Sequence, residues 1–209
     1  MTPLDAPPPQ AVSTDQSTEV AGLAARACGG ERAAFEQLID RFQAQIFRMV
    51  YYRTSSRMDA EDLTQEIFIQ AYQHVNRLQD PKRFRAWLYT IAANRVRDFL
   101  RRRRMLSFFV TATEDEPLDI PDRQTHANPG SLDRLIQREF WSELQRLAAQ
   151  LSRWEREVFF LRFIDQLSLR EIAEVLNKSE SAVKTHLYRA LQKFKENREL
   201  IVLLQGEAP

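Results

Sequence analysis

Two stretches of this 209-residue chain carry residue types and spacings suited to handling a polyanion. The first, Phe84 to Arg104, reads FRAWLYTIAANRVRDFLRRRR. From Pro81 to Arg104 nine Lys or Arg stand against Asp98 alone, in a chain whose formal net charge is only +1. Projected on a helix, Leu88, Ala92, Val96 and Phe99, flanked by Tyr89 and Leu100, form an inward side. Trp87, Thr90, Asn94, Arg97, Asp98 and Arg101 fall opposite. An indole among cations can stack on an unpaired base, a contact worth about 1–3 kcal/mol, while arginines neutralise phosphates. The same pattern is met by an indole that covers a neighbouring helix of its own domain.

The second stretch is C-terminal. Ser152-Arg-Trp-Glu155 and Ser168-Leu-Arg-Glu171 both have the spacing of a capping box, in which a Ser hydroxyl and a Glu carboxylate satisfy free amides at a helix start. Leu169, Ile172, Ala173 and Leu176 follow at helical spacing. Asn177 stands where a tight turn needs a left-handed residue, and Ser179 can cap the next helix. In that helix Val183, Leu187, Ala190, Leu191 and Phe194 are expected to face inward. Ser181, Thr185, Tyr188, Arg189 and Gln192 then project outward, with Lys184 at the edge. Short hydroxyls, a bidentate donor and an aromatic on one helix suit base edges in a major groove, so the pattern predicts a DNA-binding helix-turn-helix.

A third face lies on residues 60–75, AEDLTQEIFIQAYQHV. Ala60, Leu63, Ile67, Ala71 and Val75 make a buried stripe with Phe68 beside it. Asp62, Glu66, Ile69 and Gln73 lie on the far side, with Gln65 at the margin. An isoleucine among acids on a wet face points to a protein partner with a basic, partly apolar surface. Asp62 and Glu66 offer two carboxylates one turn apart, but no His or further acid stands at a ligand spacing to complete a metal site.

The elements that must position these faces are helices. Helix formers dominate, only five Gly occur, and alternating β-branched runs are scarce, so the fold class is all-α. The expected organisation is a disordered Pro-rich tail over 1–18, a helical domain over 19–104, a flexible acidic linker over 105–130 and a second helical domain over 131–204. Breaks in the first domain are expected near Gly29-Gly30, residues 53–56 and Asp80-Pro81. From Met105 to Asp133 six acids face one base, Arg123, so charge is segregated along the chain. The single cysteine, Cys28, excludes an internal disulfide framework and any paired-cysteine zinc site. No apolar run approaches the roughly 18–20 residues of a membrane span, so no membrane insertion and a cytoplasmic location are expected. His74, His126 and His186 are far apart, and neither a glycine-rich phosphate loop nor a nucleophile triad is visible, so no enzyme activity and no cofactor are expected.

Asp59-Ala-Glu-Asp-Leu-Thr-Gln-Glu-Ile-Phe, Phe84-Arg-Ala-Trp-Leu-Tyr-Thr-Ile-Ala-Ala-Asn-Arg and Ala182-Val-Lys-Thr-His-Leu-Tyr-Arg-Ala, in that order, resemble the small extracytoplasmic-function sigma factors of the sigma-70 family. The resemblance spans roughly Glu31 to Lys195. It implies a first domain that holds core RNA polymerase through Asp62, Gln65, Glu66 and Ile69. The same domain would contact the melted −10 strand through Trp87, Asn94, Arg95, Arg97, Asp98 and Arg101. The loop around Asn76 to Lys82 would accept a flipped base. It also implies −35 recognition by Ser181, Lys184, Thr185, Tyr188 and Arg189, helped by Arg162, and an anti-sigma protein as a further partner. Ser181 stands where the family often has glycine. The competing reading is a stand-alone helix-turn-helix regulator of duplex DNA. The aromatic on the basic face and Ile69 on the acidic one favour the sigma factor, because a plain duplex reader needs neither.

Overall fold

The computed structural model describes residues 14–110, 146 and 148–196. It is all-α, with no strand among the described residues, and divides into two compact units. The first contains α1 (Thr14–Cys28), α2 (Arg32–Thr54), α3 (Arg57–His74) and α4 (Phe84–Val110). Two short 3₁₀ turns, Val75–Arg77 and Pro81–Arg83, join α3 to α4. The second unit contains α5 (Arg153–Phe159), a π turn over Phe160–Ile164, α6 (Leu169–Leu176) as far as Ala173, and α7 (Glu180–Glu196).

The helix boundaries follow from local chemistry. Gly30, at φ 92°, is the left-handed residue that closes α1, and the Glu31 amide bonds back to the Arg26 carbonyl at 3.1 Å. Ser55, at φ 56°, ends α2, and the Ser56 hydroxyl then accepts from the Asp59 amide at 3.3 Å to start α3. Asp80 caps the turn at Pro81 by accepting from the Lys82 amide at 3.0 Å. The three expected breaks in this domain therefore fall where glycine, left-handed serine and proline chemistry place them.

In the first unit Leu38, Ile46, Met49, Ile67, Phe84 and Leu88 are fully buried between helices, and the Phe42 and Phe84 rings meet at 5.6 Å. Burial of this many large apolar groups, at about 25 cal/mol per Å², is what holds helices that would be marginal alone. The second unit closes on Leu161, Leu167, Ile172, Val183 and Ala190. The Phe159 and Phe194 rings lie 4.5 Å apart within that core.

Three expectations need correction. Helix α1 begins at Thr14, inside the tail expected to be disordered over 1–18; residues 1–13 of that tail lie outside the described residues. The Arg41 guanidinium on α2 pairs with Glu19 at 2.6 Å, and once a helix is nucleated each added residue extends it at little cost. At the other end α4 runs on to Val110, past the expected linker start at 105. Residues 105–110 contain neither Gly nor Pro, so nothing in their chemistry stops the helix. The rest of the linker, 111–130, and the expected helix start at 131 lie outside the described residues. Finally, Leu191 is exposed rather than inward-facing.

Candidate nucleic-acid interface

On α3 the expected buried stripe is buried: Ala60, Leu63, Ile67 and Ala71, with Phe68 beside it. Asp62, Gln65, Glu66 and Ile69 are all exposed on the other side. Ile69 is 51% exposed, as is Tyr72 one turn on. Both line a groove of about 930 Å³ between α2 and α3, whose other wall carries Phe35, Ile39 and Phe47. Pairs of Arg32 with Glu36 and Arg57 with Glu61, each at 2.8 Å, belong to residues that line it. The α2 wall was missed in the sequence, although Phe35, Ile39 and Phe47 recur at multiples of four residues on one helix row.

On α4, Leu88, Tyr89, Ala92 and Val96 are buried as expected. Trp87 is half-buried, its ring tilted 46° against Phe84 at 5.8 Å. Its indole is neither sealed in the core nor free in solvent. Asn94 is exposed and accepts a hydrogen bond from Arg97 at 3.1 Å. Asp98 pairs with Arg101 at 3.2 Å, so a phosphate must compete with a carboxylate for that guanidinium. Arg95 does not stay with this set, because its Nε donates to Glu66 of α3 at 2.7 Å. Arg103 donates to the Thr54 carbonyl at 3.5 Å, which ties the basic end of α4 to the end of α2.

The link between α3 and α4 is held from behind by Cys28, whose thiol donates to the Val75 carbonyl at 3.1 Å. Burial pushes that thiol's pKa up, which keeps it protonated as a donor. Asn76, Arg77 and Gln79 of the same link remain exposed.

In the second unit both capping boxes form. Glu155 accepts from the Ser152 amide at 2.9 Å and Glu171 from the Ser168 amide at 2.8 Å. Asn177 has φ 50°, and the Ser179 hydroxyl accepts from the Ala182 amide at 3.2 Å. Ser181, Lys184, Thr185, Tyr188 and Arg189 are exposed along α7, Tyr188 at 64%. The Thr185 hydroxyl donates to the Ser181 carbonyl at 2.9 Å, which leaves its oxygen lone pairs to accept. Arg162 has a different position from the α7 residues: it lies in the π turn and donates to the Leu167 carbonyl at 3.0 Å. Buried Glu155 is held by Lys193 at 2.7 Å, and that partner, ahead of the Ser152 bonds, lowers the Glu155 pKa.

Among the described residues no cluster of three or more His, Cys, Asp or Glu could hold a metal ion, and no helix is long and apolar enough to cross a membrane. The arrangement can bind and position; two faces carry cations, hydroxyls and aromatics, and one carries acids beside an apolar groove that two Arg–Glu pairs also line.

Comparison with known proteins agrees with this geometry. Residues 38–105 match the Sigma-70 region 2 family and residues 141–194 match Sigma-70, region 4. The chain is 34% identical over 177 residues to the ECF RNA polymerase sigma factor BldN of Streptomyces coelicolor, covering 84% of this chain and 64% of that protein. It is 31% identical over 163 residues to the ECF RNA polymerase sigma factor SigW of Bacillus subtilis, covering 77% of this chain and 86% of SigW. Among solved structures, CnrH in complex with the cytosolic domain of CnrY is similar at TM-score 0.61 and 26% identity, over 91% of this chain and 99% of CnrH. With region 2 matched over 38–105 and region 4 over 141–194, in that order, the chain belongs to the sigma-70 family and is an RNA polymerase sigma factor of the extracytoplasmic-function group.

Proposed function

We propose that the two units divide promoter-specific initiation between them. The α3 face, with Asp62, Gln65, Glu66 and Ile69, holds core RNA polymerase. The α4 face, with Trp87, Asn94, Arg95, Arg97, Asp98 and Arg101, takes the unpaired −10 strand. In the second unit Ser181, Lys184, Thr185, Tyr188 and Arg189 read the −35 duplex. Arg162 supports them by fixing the link between α5 and α6 through the Leu167 carbonyl. The domain boundaries follow the same division, with 111–130 as the tether. The protein works in the cytoplasm, where polymerase and promoter are, and by binding rather than catalysis.

The observation that carries this reading is the half-exposed Ile69 in an apolar groove on the helix that also supplies Glu66 to Arg95. A duplex reader acting alone has no use for such a groove. The energetic logic is differential binding: an extruded base and a stacked indole favour separated strands and offset a few kcal/mol of lost base stacking per step. An anti-sigma protein is the further partner; CnrH, to which this chain is similar, is in complex with the cytosolic domain of CnrY.

Run-off transcription tests the proposal. Core polymerase supplemented with the chain should start at defined sites, while the isolated chain binds duplex promoter DNA weakly. Tight sequence-specific duplex binding by the chain alone, with no transcript when core enzyme is added, would refute it and favour a stand-alone regulator.

A further inference from the structure

The turn that precedes α7 carries a cation in an unusual place. Asn177 is left-handed and the Lys178 amide bonds to the Ala173 carbonyl at 2.9 Å, the longer bond of a Schellman closure. The residue that donates this bond commonly packs an apolar side chain back on its helix. Here it is a lysine, and its Nζ lies 4.0 Å from the centroid of the Trp154 ring on α5. The Arg153 guanidinium carbon lies 5.3 Å from the same ring. Both separations fall inside the range in which a cation is drawn to an aromatic ring. Neither cation is neutralised by a carboxylate among the described residues.

An indole cannot neutralise charge as a carboxylate would, so it orders the lysine while leaving the N–H donors that point away from the ring for another acceptor. A lysine in free rotation loses that freedom when it meets a phosphate; one already laid along an indole loses less. Lys178 is one residue from Ser179, which caps α7, so the ordered cation adjoins the start of the exposed helix. Cations beside a groove-reading helix contact the phosphate backbone and fix register.

The geometry points to Trp154 as a positioning residue for DNA binding: its indole holds Lys178, with Arg153 beside it, as a phosphate clamp at the start of α7. The inference rests on the reading of α7 as the duplex-reading helix. The clamp acts on the backbone, so it works on any sequence.

The test uses the full chain and a fluorescein-labelled mixed-sequence duplex of about three helical turns, with anisotropy followed against salt. Each phosphate contact contributes about 0.9 to the slope of log affinity against log salt. Lys178→Gln should lower the slope by about that amount and weaken binding several-fold. Trp154→Leu should do the same although the lysine is still present, whereas Trp154→Phe, which keeps a ring face, should retain most of the slope. Adding Lys178→Gln to Trp154→Leu should change little more. Leu and Phe both fill the space, so a purely structural role would not separate them. Equal, wild-type slopes for Trp154→Leu and Trp154→Phe overturn the positioning role. An unchanged slope for Lys178→Gln overturns the clamp itself, and that substitution, at a partly exposed side chain outside the core, decides even where Trp154→Leu fails to fold. Arg189→Ala, measured on a duplex taken from upstream of a start site mapped by run-off transcription, separates the two readings: unchanged affinity there refutes α7 as the reader, while weakened affinity with an unaffected Lys178→Gln slope refutes the clamp alone.

Discussion

Glu66 on α3 accepts a hydrogen bond from Arg95 on α4 at 2.7 Å. One partner belongs to the face proposed for polymerase and the other to the face proposed for the −10 strand, so the two surfaces share a charge pair. Both side chains are partly solvated, the guanidinium at 33% and the carboxylate at 46% exposure, and such a pair is worth about 0.2–1 kcal/mol. That is small enough for either partner macromolecule to break.

Charge changes on α3 therefore separate into two kinds. Asp62→Lys should weaken the association of the chain with core polymerase and leave binding of a single-stranded −10 oligonucleotide unchanged. Glu66→Lys should alter both, because it also repels Arg95. A pull-down with core enzyme and an oligonucleotide titration report the two effects separately, and identical behaviour of the two variants would disprove the shared pair.

Ile69 is half-exposed, so Ile69→Asp should leave the unfolding midpoint in urea almost unmoved while lowering affinity for core polymerase about tenfold or more, since an apolar anchor at the centre of an interface is commonly worth 1–2 kcal/mol or above. Unchanged affinity would remove the groove from the interface.

Trp87→Ala should reduce strand opening more than recruitment. Loss of an aromatic stack of about 1–3 kcal/mol corresponds to roughly 5- to 150-fold in the opening equilibrium. Permanganate reactivity of promoter thymines measures opening, and electrophoretic shift of the holoenzyme on duplex DNA measures recruitment. Because Trp87 also touches Phe84, a modest stability loss should accompany the change, and it can be subtracted by working well below the melting temperature.

Acid should loosen the second unit through Glu155. Its folded pKa is depressed by Lys193, so its contribution to stability is complete above the unfolded carboxylate value near 4.3 and is lost as pH falls through the folded value. Glu155→Gln should lower stability at neutral pH by about 1–3 kcal/mol, the cost of removing a charged hydrogen bond from a buried acceptor, and flatten the dependence on pH below about 4.5. Urea unfolding across pH 3 to 7 checks both signs at once.

The second unit was the more legible in the amino-acid sequence because its signals are local. Ser152 with Glu155, Ser168 with Glu171, Asn177 and Ser179 each act within a few residues, and each does what its spacing predicts. Leu191 escaped because a wheel gives an angle but not how far the neighbouring helix reaches. In the first unit the stripe on α3 was readable, and so was the anomaly of Ile69. The groove beside it was not, since its other wall comes from α2 and only tertiary packing brings Phe47 and Ile69 to one cavity. Arg95 pairs with Glu66 across 29 residues, a separation at which periodicity carries no information. The Trp154 contact with Lys178 was hidden for the same reason.

The continuity of α4 from Phe84 to Val110 carries a mechanical consequence. At a rise of 1.5 Å per residue its 27 residues form a rod of about 40 Å, and each residue turns the chain by roughly 100°. A residue inserted between Arg104 and Val110 would swing the departure point of everything downstream around the helix axis, and three or four inserted together would nearly restore the phase. The bearing on which the chain leaves Val110 is set by helical phase.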